Sequence, residues 1–209
     1  MSSNVRFRFR LDLQTALNLL AFCYRFEVEN RHCHITFDSN TESILIQVAE
    51  YFISENPKIG LLLCGNVGNG KTTMMRAIQR CVNLLDSHRH FEFLDDANFG
   101  YRFKPDFRIR DVGDLVRAAE DIEFFNNLKN CNMLGIDDLG KEPVEVMNYG
   151  NISTPIKDIL EYRYNNQLFT CITTNLTPQN IREKYGERIA DRFREMFTFI
   201  VFKSQTYRK

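Results

Sequence analysis

Two rhythms of apolar residues run through the chain, and they divide it. After Lys58, five short and largely apolar runs read as β-strands: "GLLLC" at 60–64, "FRIRD" at 107–111, "MLGID" at 133–137, "FTCITT" at 169–174 and "FTFIVF" at 197–202. Between them, residues 70–85, 113–129, 153–166 and 178–194 carry helical spacing, and in the first of these Met74, Ile78, Cys81 and Leu85 share one face. Strands that are apolar on both faces and alternate with helices predict an α/β fold, a mostly parallel five-stranded sheet flanked by helices. Before Asn56-Pro57 the rhythm is helical only. Residues 11–29 (Leu13, Leu17, Leu20, Tyr24) and 41–54 (Ile44, Val48, Phe52) predict two helices, so the expected division is a short, mainly helical N-terminal extension over 1–55 and a core domain over 56–209.

Two segments fit neither rhythm. The start "VRFRFR" alternates Arg6, Arg8 and Arg10 with Phe7, Phe9 and Leu11, which on a strand gives one basic and one apolar face. A nucleic-acid or partner contact and an ordinary edge or frayed terminus both match it, and the second is the commoner outcome. Residues 86–106 are long and irregular, as functional or mobile loops are.

Composition narrows the function classes. The 209 residues carry 27 basic and 27 acidic side chains, so no global field draws the protein to nucleic acid or membrane, and any DNA contact has to come from a local patch. Arg102, Lys104, Arg108 and Arg110, interleaved with Tyr101, Phe103 and Phe107, form the best such patch, a mixture suited to backbone charge and base stacking on a single strand. No apolar run reaches the roughly 20 residues of a membrane span, and "MSSNVRFRFRLDL" lacks the apolar stretch of a signal peptide, so no membrane association and a cytoplasmic location are expected. The six cysteines form no CxxC pair and read as reduced packing residues. His32, Cys33 and His34 cluster, but strand neighbours point to opposite faces and no second ligand pair lies at zinc spacing, so the segment reads as a polar strand or turn.

The chemistry sits at the ends of the strands. "GNVGNGKT", Gly65 to Thr72, follows one strand and opens a helix; its glycines let backbone N–H groups close around a phosphate that also meets a helix N-terminus. Gly65, Asn66, Val67, Gly68, Asn69, Gly70, Lys71, Thr72 and Thr73 are the candidate nucleotide-binding residues, for ATP with Mg²⁺, with Lys71 on the β/γ-phosphate oxygens and the Thr72 hydroxyl on the metal. "MLGIDDLG" is a strand ending in two carboxylates: Asp137 is expected in the Mg²⁺ shell and Asp138 beside an attacking water. "CITTNL" puts Thr173, Thr174 and Asn175 at the carboxyl end of the next strand, where ligands of open α/β sheets bind, and Asn175 is assigned to orient water and sense phosphate. In "KYGERIADRFREMF", Arg188 and Arg192 lie four apart on one helix face. Surface arginines usually pair with nearby carboxylates; the functional reading is an arginine finger acting on a neighbouring chain's phosphate.

Taken in order, "LLLCGNVGNGKTT", "MLGIDDLG", "CITTNL", "YGERIADRFREMF" and the tail "SQTYRK" resemble the DnaC/IstB family of AAA+ ATPases, bacterial helicase loaders and transposition helpers. The resemblance covers residues 56–209 and implies a P-loop NTPase of AAA+ type with no separate lid domain. It also implies nucleotide-dependent homo-oligomers, single-stranded DNA as scaffold and a replicative helicase or transposase as partner. It maps Lys71 and Thr72 onto the first motif, Asp137 and Asp138 onto the second, Asn175 onto the first sensor and Arg188 or Arg192 onto the finger, with Arg192 preferred and Arg208 a weaker sensor candidate. Two other readings share the phosphate loop: a nucleotide-gated interaction module with little turnover, and a small-molecule kinase whose lid is the 86–106 segment.

Overall fold

The computed structural model describes residues 7–33, 38–88, 91–93, 106–148 and 151–203. The first described element is a three-residue strand, β1 (Phe7–Phe9), and the two expected helices follow as α1 (Leu13–Glu29) and α2 (Ser39–Ile53). Each starts where an aspartate can accept a bond from an otherwise unpaired N–H: Asp12 from Thr15 at 2.9 Å and Asp38 from Thr41 at 2.7 Å. Beyond them come β2 (Gly60–Gly65), α3 (Lys71–His88), β3 (Phe91–Phe93), β4 (Phe107–Asp111), α4 (Val112–Ala118) and α5 (Ile122–Asn130). The remainder is β5 (Met133–Leu139), β6 (Val146–Asn148), β7 (Asn151–Ser153), α6 (Pro155–Asn165), β8 (Phe169–Thr174), α7 (Pro178–Tyr185), α8 (Glu187–Met196) and β9 (Phe197–Phe202).

The five expected strands form one sheet in the order β4-β5-β8-β2-β9, and every neighbouring pair is parallel. Alternation along each strand sends side chains to two cores. Leu61 and Leu63 pack with α1, α2 and α3 on one side, whereas Leu62 packs with α4, α6, α7 and α8 on the other. Each such leucine, removed from water, contributes about 2 kcal/mol before the entropy of ordering is counted. α3 turns Met74, Ile78 and Cys81 inward, each at most 1% exposed.

Four features depart from the sequence expectations. The helix expected over 113–129 is two helices, because Asp121 accepts from the Phe124 N–H at 3.0 Å and so starts a new one. The helix expected over 178–194 breaks at Gly186, whose φ of +92° an L side chain rarely adopts. In α1 the buried face is Ala16, Leu20, Cys23 and Tyr24, and Leu13 is 39% exposed, so the inward stripe is rotated from the one the spacing suggested. Finally, β1 pairs antiparallel with β3, Phe7 opposite Phe93, so the 86–106 segment contains the end of a helix and a strand. The apolar face of β1 is core: Phe9 stacks on Phe52 with centroids 4.5 Å apart, and Phe7 lies 6.1 Å from Phe169. A further antiparallel pair, β6 with β7, follows β5.

One buried cation holds the far end of the sheet. Arg163 of α6 is fully buried and donates to the carbonyls of Lys129 (3.0 Å), Cys131 (2.8 Å) and Phe169 (2.6 Å) and to the Thr170 hydroxyl (2.9 Å). It thereby ties the entries of β5 and β8 together, and burial brings its pKa down to about 10. Among the described residues no helix is long and apolar enough to cross a membrane.

Candidate nucleotide site

The loop between β2 and α3 is shaped from both ends. Gly65 has φ +143°, and a Cβ there would run into the carbonyl oxygen of Phe202 on β9, so no other residue fits. The Asn69 side chain spans the loop: its amide donates to that same Phe202 oxygen at 3.0 Å, and its carbonyl accepts from Lys71 at 3.1 Å. The Lys71 ammonium also donates to the carbonyls of Gly65 (2.8 Å) and Asn66 (2.6 Å) and to Asn175 Oδ1 (2.8 Å). These acceptors are all uncharged. Burial therefore dominates and lowers the lysine pKa below its usual 10.5, against the pull of Asp138 first and of Asp137 more weakly. Val67 stands out at the loop tip, 59% exposed, while Thr73 is buried in the first turn of α3. Behind the loop, Tyr24 of α1 presses its hydroxyl toward Gly70.

Thr72 begins the second half of the site. Its hydroxyl donates to Asp137 Oδ1 at 2.9 Å, and the Thr173 hydroxyl donates to the same oxygen at 2.5 Å. Two adjacent carboxylates on a regular strand would face opposite ways, but the β5–β8 register slips between Ile136 and Leu139. The slip leaves Asp138 at φ +61°, with its backbone N–H donating to Thr173 Oγ1 at 2.8 Å, and its carboxylate Oδ2 takes the ammonium of Lys141. A non-glycine residue in that region carries strain on the order of 1–2 kcal/mol, which the Thr173 bond helps to hold. Both carboxylates act on the Lys71 charge, Asp138 the more strongly.

The carboxyl ends of β2, β8 and β5, three neighbours in the sheet, thus bring Lys71, Asn175, Thr72, Asp137 and Asp138 together. Arg188 and Arg192 stand apart from this group. Both lie on α8 and turn to Glu161 of α6: Arg192 Nη1 is 3.0 Å from its carboxylate and Arg188 Nε is 3.5 Å away. Arg192 also sits 4.9 Å over the Tyr164 ring, with its side chain only 14% exposed against 72% for Arg188.

The suggested DNA patch is changed by the fold. Phe107 is buried, edge-on to Phe169 at 5.8 Å, and is a core residue unavailable for base stacking. Arg108 pairs with Asp106, and Arg110 donates to the Ile109 carbonyl at 2.8 Å. Residues 101–105, which carry Tyr101, Arg102, Phe103 and Lys104, lie outside the described residues, as do His34 and Arg208.

Two groups beside the site were not legible in the sequence. Lys141 looked like any polar turn residue. Glu142 gave no signal at all, yet its side chain is fully buried and accepts from the Tyr185 hydroxyl and, at 2.8 Å, from the Gly140 N–H. Burial and that bond hold the Tyr185 hydroxyl well above its usual pKa of 10.

The sequence matches no protein-family model, and no curated protein matches it. Solved structures do match in three dimensions. A DnaC helicase loader superposes with a TM-score of 0.57 at 23% identity, over 81% of this chain and 94% of that one. A DnaI structure gives 0.57 at 22% identity, over 83% and 88%. AMPPCP-bound DnaA from Aquifex aeolicus gives 0.54 at 18% identity, over 87% of this chain and 51% of that one. At these identities the likeness establishes architecture: the chain has the fold of the DnaC helicase loader, DnaI and DnaA structures.

Proposed function

We propose that the protein is a Mg²⁺-dependent ATPase of DNA replication or recombination, a helicase loader or transposition helper, that uses ATP to assemble copies of itself on single-stranded DNA. The observation that carries this reading is the meeting of Lys71, Asn175, Thr72 and Asp137 across three adjacent strand ends. The residues fit the ligands. Lys71 is a buried cation with only neutral hydrogen-bond acceptors, as a phosphate partner should be, and the Thr72 hydroxyl beside the Asp137 carboxylate is an all-oxygen set suited to a hard divalent cation. When bound, Mg²⁺·ATP supplies the phosphoanhydride bond and the metal's neutralisation of phosphate charge.

The chain's own residues do the rest. Backbone N–H groups of the loop and the α3 N-terminus bind phosphate oxygens, and Lys71 moves its bonds from loop carbonyls to them. Thr72 and Asp137 would hold Mg²⁺. Asp138, with Oδ2 bonded to Lys141, has Oδ1 to polarise a water, and Asn175 orients that water against the terminal phosphate. A neighbouring copy donates an arginine to the open side. Accessibility favours Arg188 over Arg192 for this task, because Arg192 is enclosed between Glu161 and Tyr164.

The test is ATP turnover per chain over a range of protein concentrations, with and without single-stranded DNA, using Lys71→Ala as blank. Turnover should rise with concentration and with DNA, and Arg188→Ala should abolish the rise while leaving ATP binding intact. Turnover flat in both variables would remove the shared site and the DNA scaffold, and loss of ATP binding in Arg188→Ala would refute the finger role.

A further inference from the structure

Glu142 is a buried carboxylate that the chemistry above does not use, and its partners come from two directions. On its own turn, Oε2 accepts from the Gly140 N–H at 2.8 Å. From the last turn of α7, Tyr185 donates its hydroxyl to Oε1, and the Lys184 ammonium lies 3.9 Å from the same oxygen. Lys184 further donates to the Gly140 carbonyl at 2.6 Å and to that of Glu142. The turn held in this way is the one that begins at Asp138: the Lys141 N–H donates to the Asp138 carbonyl at 3.3 Å, and the Lys141 ammonium to its carboxylate. α7 therefore grips the segment that sets where the Asp138 carboxylate stands.

The other end of α7 leads to the arginines. Tyr185 is followed by Gly186, at φ +92° with open space where a side chain would be, and α8 starts at once with no side-chain cap. Arg188 lies in the first turn of α8 and is held back only at 3.5 Å by Glu161 of α6. A pull on α8 thus reaches Tyr185 and Lys184 across one glycine, and from them it reaches Gly140 and Asp138 through the buried Glu142 carboxylate and the two carbonyls that Lys184 holds.

We infer that Glu142 is a positioning residue that transmits the placement of α7 and α8 to Asp138, so that capture of Arg188 by a neighbouring chain readies the water-polarising carboxylate in the donor chain's own site. This rests on the ATPase reading for its consequence, though not for its geometry. The device would link sites in sequence around an assembly: each chain that completes its neighbour's site adjusts its own.

The test compares wild type with Tyr185→Phe and Glu142→Gln, both close in volume to the native residue, each alone and combined with Glu161→Gln, which removes the ion pairs of Arg188 and Arg192 with α6. Two readouts are taken on the full chain. In amide hydrogen exchange without nucleotide, Glu161→Gln should speed exchange at 138–141 by about tenfold, and should add several-fold less once Tyr185→Phe or Glu142→Gln has removed the carboxylate route and left only the Lys184 bonds. In turnover, Tyr185→Phe and Glu142→Gln should lower kcat by roughly tenfold with KM nearly unchanged, and the effect of Arg188→Ala should no longer multiply with theirs. Exchange at 138–141 indifferent to Glu161→Gln, or losses that simply multiply, would overturn the inference. Absence of turnover in wild type would instead refute the ATPase reading, while the exchange measurement would still decide whether α8 is coupled to the Asp138 turn.

Discussion

Asn175 shows how much one side chain decides here. It stands just beyond β8, a place where an asparagine would ordinarily cap the next helix, yet Thr177 is the residue that caps α7 and Asn175 instead accepts from Lys71 at 2.8 Å. On the ATPase reading, Asn175→Ala should leave ATP affinity within about threefold and cut turnover by roughly 10- to 100-fold, since it would remove water orientation and spare the phosphate cradle. Parallel titration with a fluorescent ATP analogue and a phosphate-release assay would check this. Tyr185 makes a different statement. Because its folded pKa is raised above 10, the folded chain keeps a proton that the unfolded chain loses as pH passes 10. The unfolded state then binds fewer protons, so the stability this hydroxyl contributes is present below pH 10 and declines above it. Urea melts between pH 9 and 11 should show the decline in wild type and a shallower one in Tyr185→Phe.

The helices and strands differ in how far local sequence determined them. All five sheet strands were readable, because an apolar run buried on both faces has no competing local explanation. Helix boundaries were harder. The break at 119–121 depends on Asp121 turning its carboxylate to the next helix, and a run of Ala, Glu and Asp is equally compatible with continuation. Gly186 was visible as a glycine, but its φ is a property of the packed chain. β3 was beyond local reading altogether, since a three-residue strand carries almost no periodicity, and the Arg/Phe alternation over β1 matched a strand but could not name its partner, because the pairing spans most of the first half of the sequence. The same distinction runs through the site: Lys71, Thr72 and Asp137 belong to contiguous motifs, whereas Glu142 became notable only through burial against α7. α7 itself offers a direct test of local design. Thr177 and Asn180 form a reciprocal cap, so Thr177→Ala should cost about 1 kcal/mol in urea unfolding. A larger loss, together with faster exchange at 138–141, would mark α7 as part of the active-site support.

Around the five-stranded sheet, the two cores join parts of the chain that are distant in sequence. Phe52 is the meeting point on the α1–α3 side: fully buried, stacked on Phe9 at 4.5 Å, edge-on to Phe7 at 5.9 Å and 6.0 Å from Phe169. Phe52→Ala should therefore cost about 3–5 kcal/mol, a large part of a typical domain's stability, and should lower the concentration of urea at half-unfolding with little change in slope. If β1 lost its exchange protection while the sheet kept its own, the first strand would be an independently opening unit. The opposite side depends on α6, whose Arg163 ties the strand entries and whose Glu161 restrains the arginines of α8. One helix thus holds the sheet at its base and the arginines of α8 at its rim.

The bond from Asn69 to Phe202 also bears on how the protein is made. The phosphate loop is encoded about a third of the way along the sequence, but one of the oxygens that shapes it belongs to β9, which is translated after every other described strand and must slot in beside β2. A nascent chain on the ribosome therefore cannot complete the loop until residue 202 has emerged from the exit tunnel. On the ATPase reading, nucleotide capture and any self-association that depends on it would wait until the whole sheet exists, and half-made chains would stay out of assemblies of finished ones.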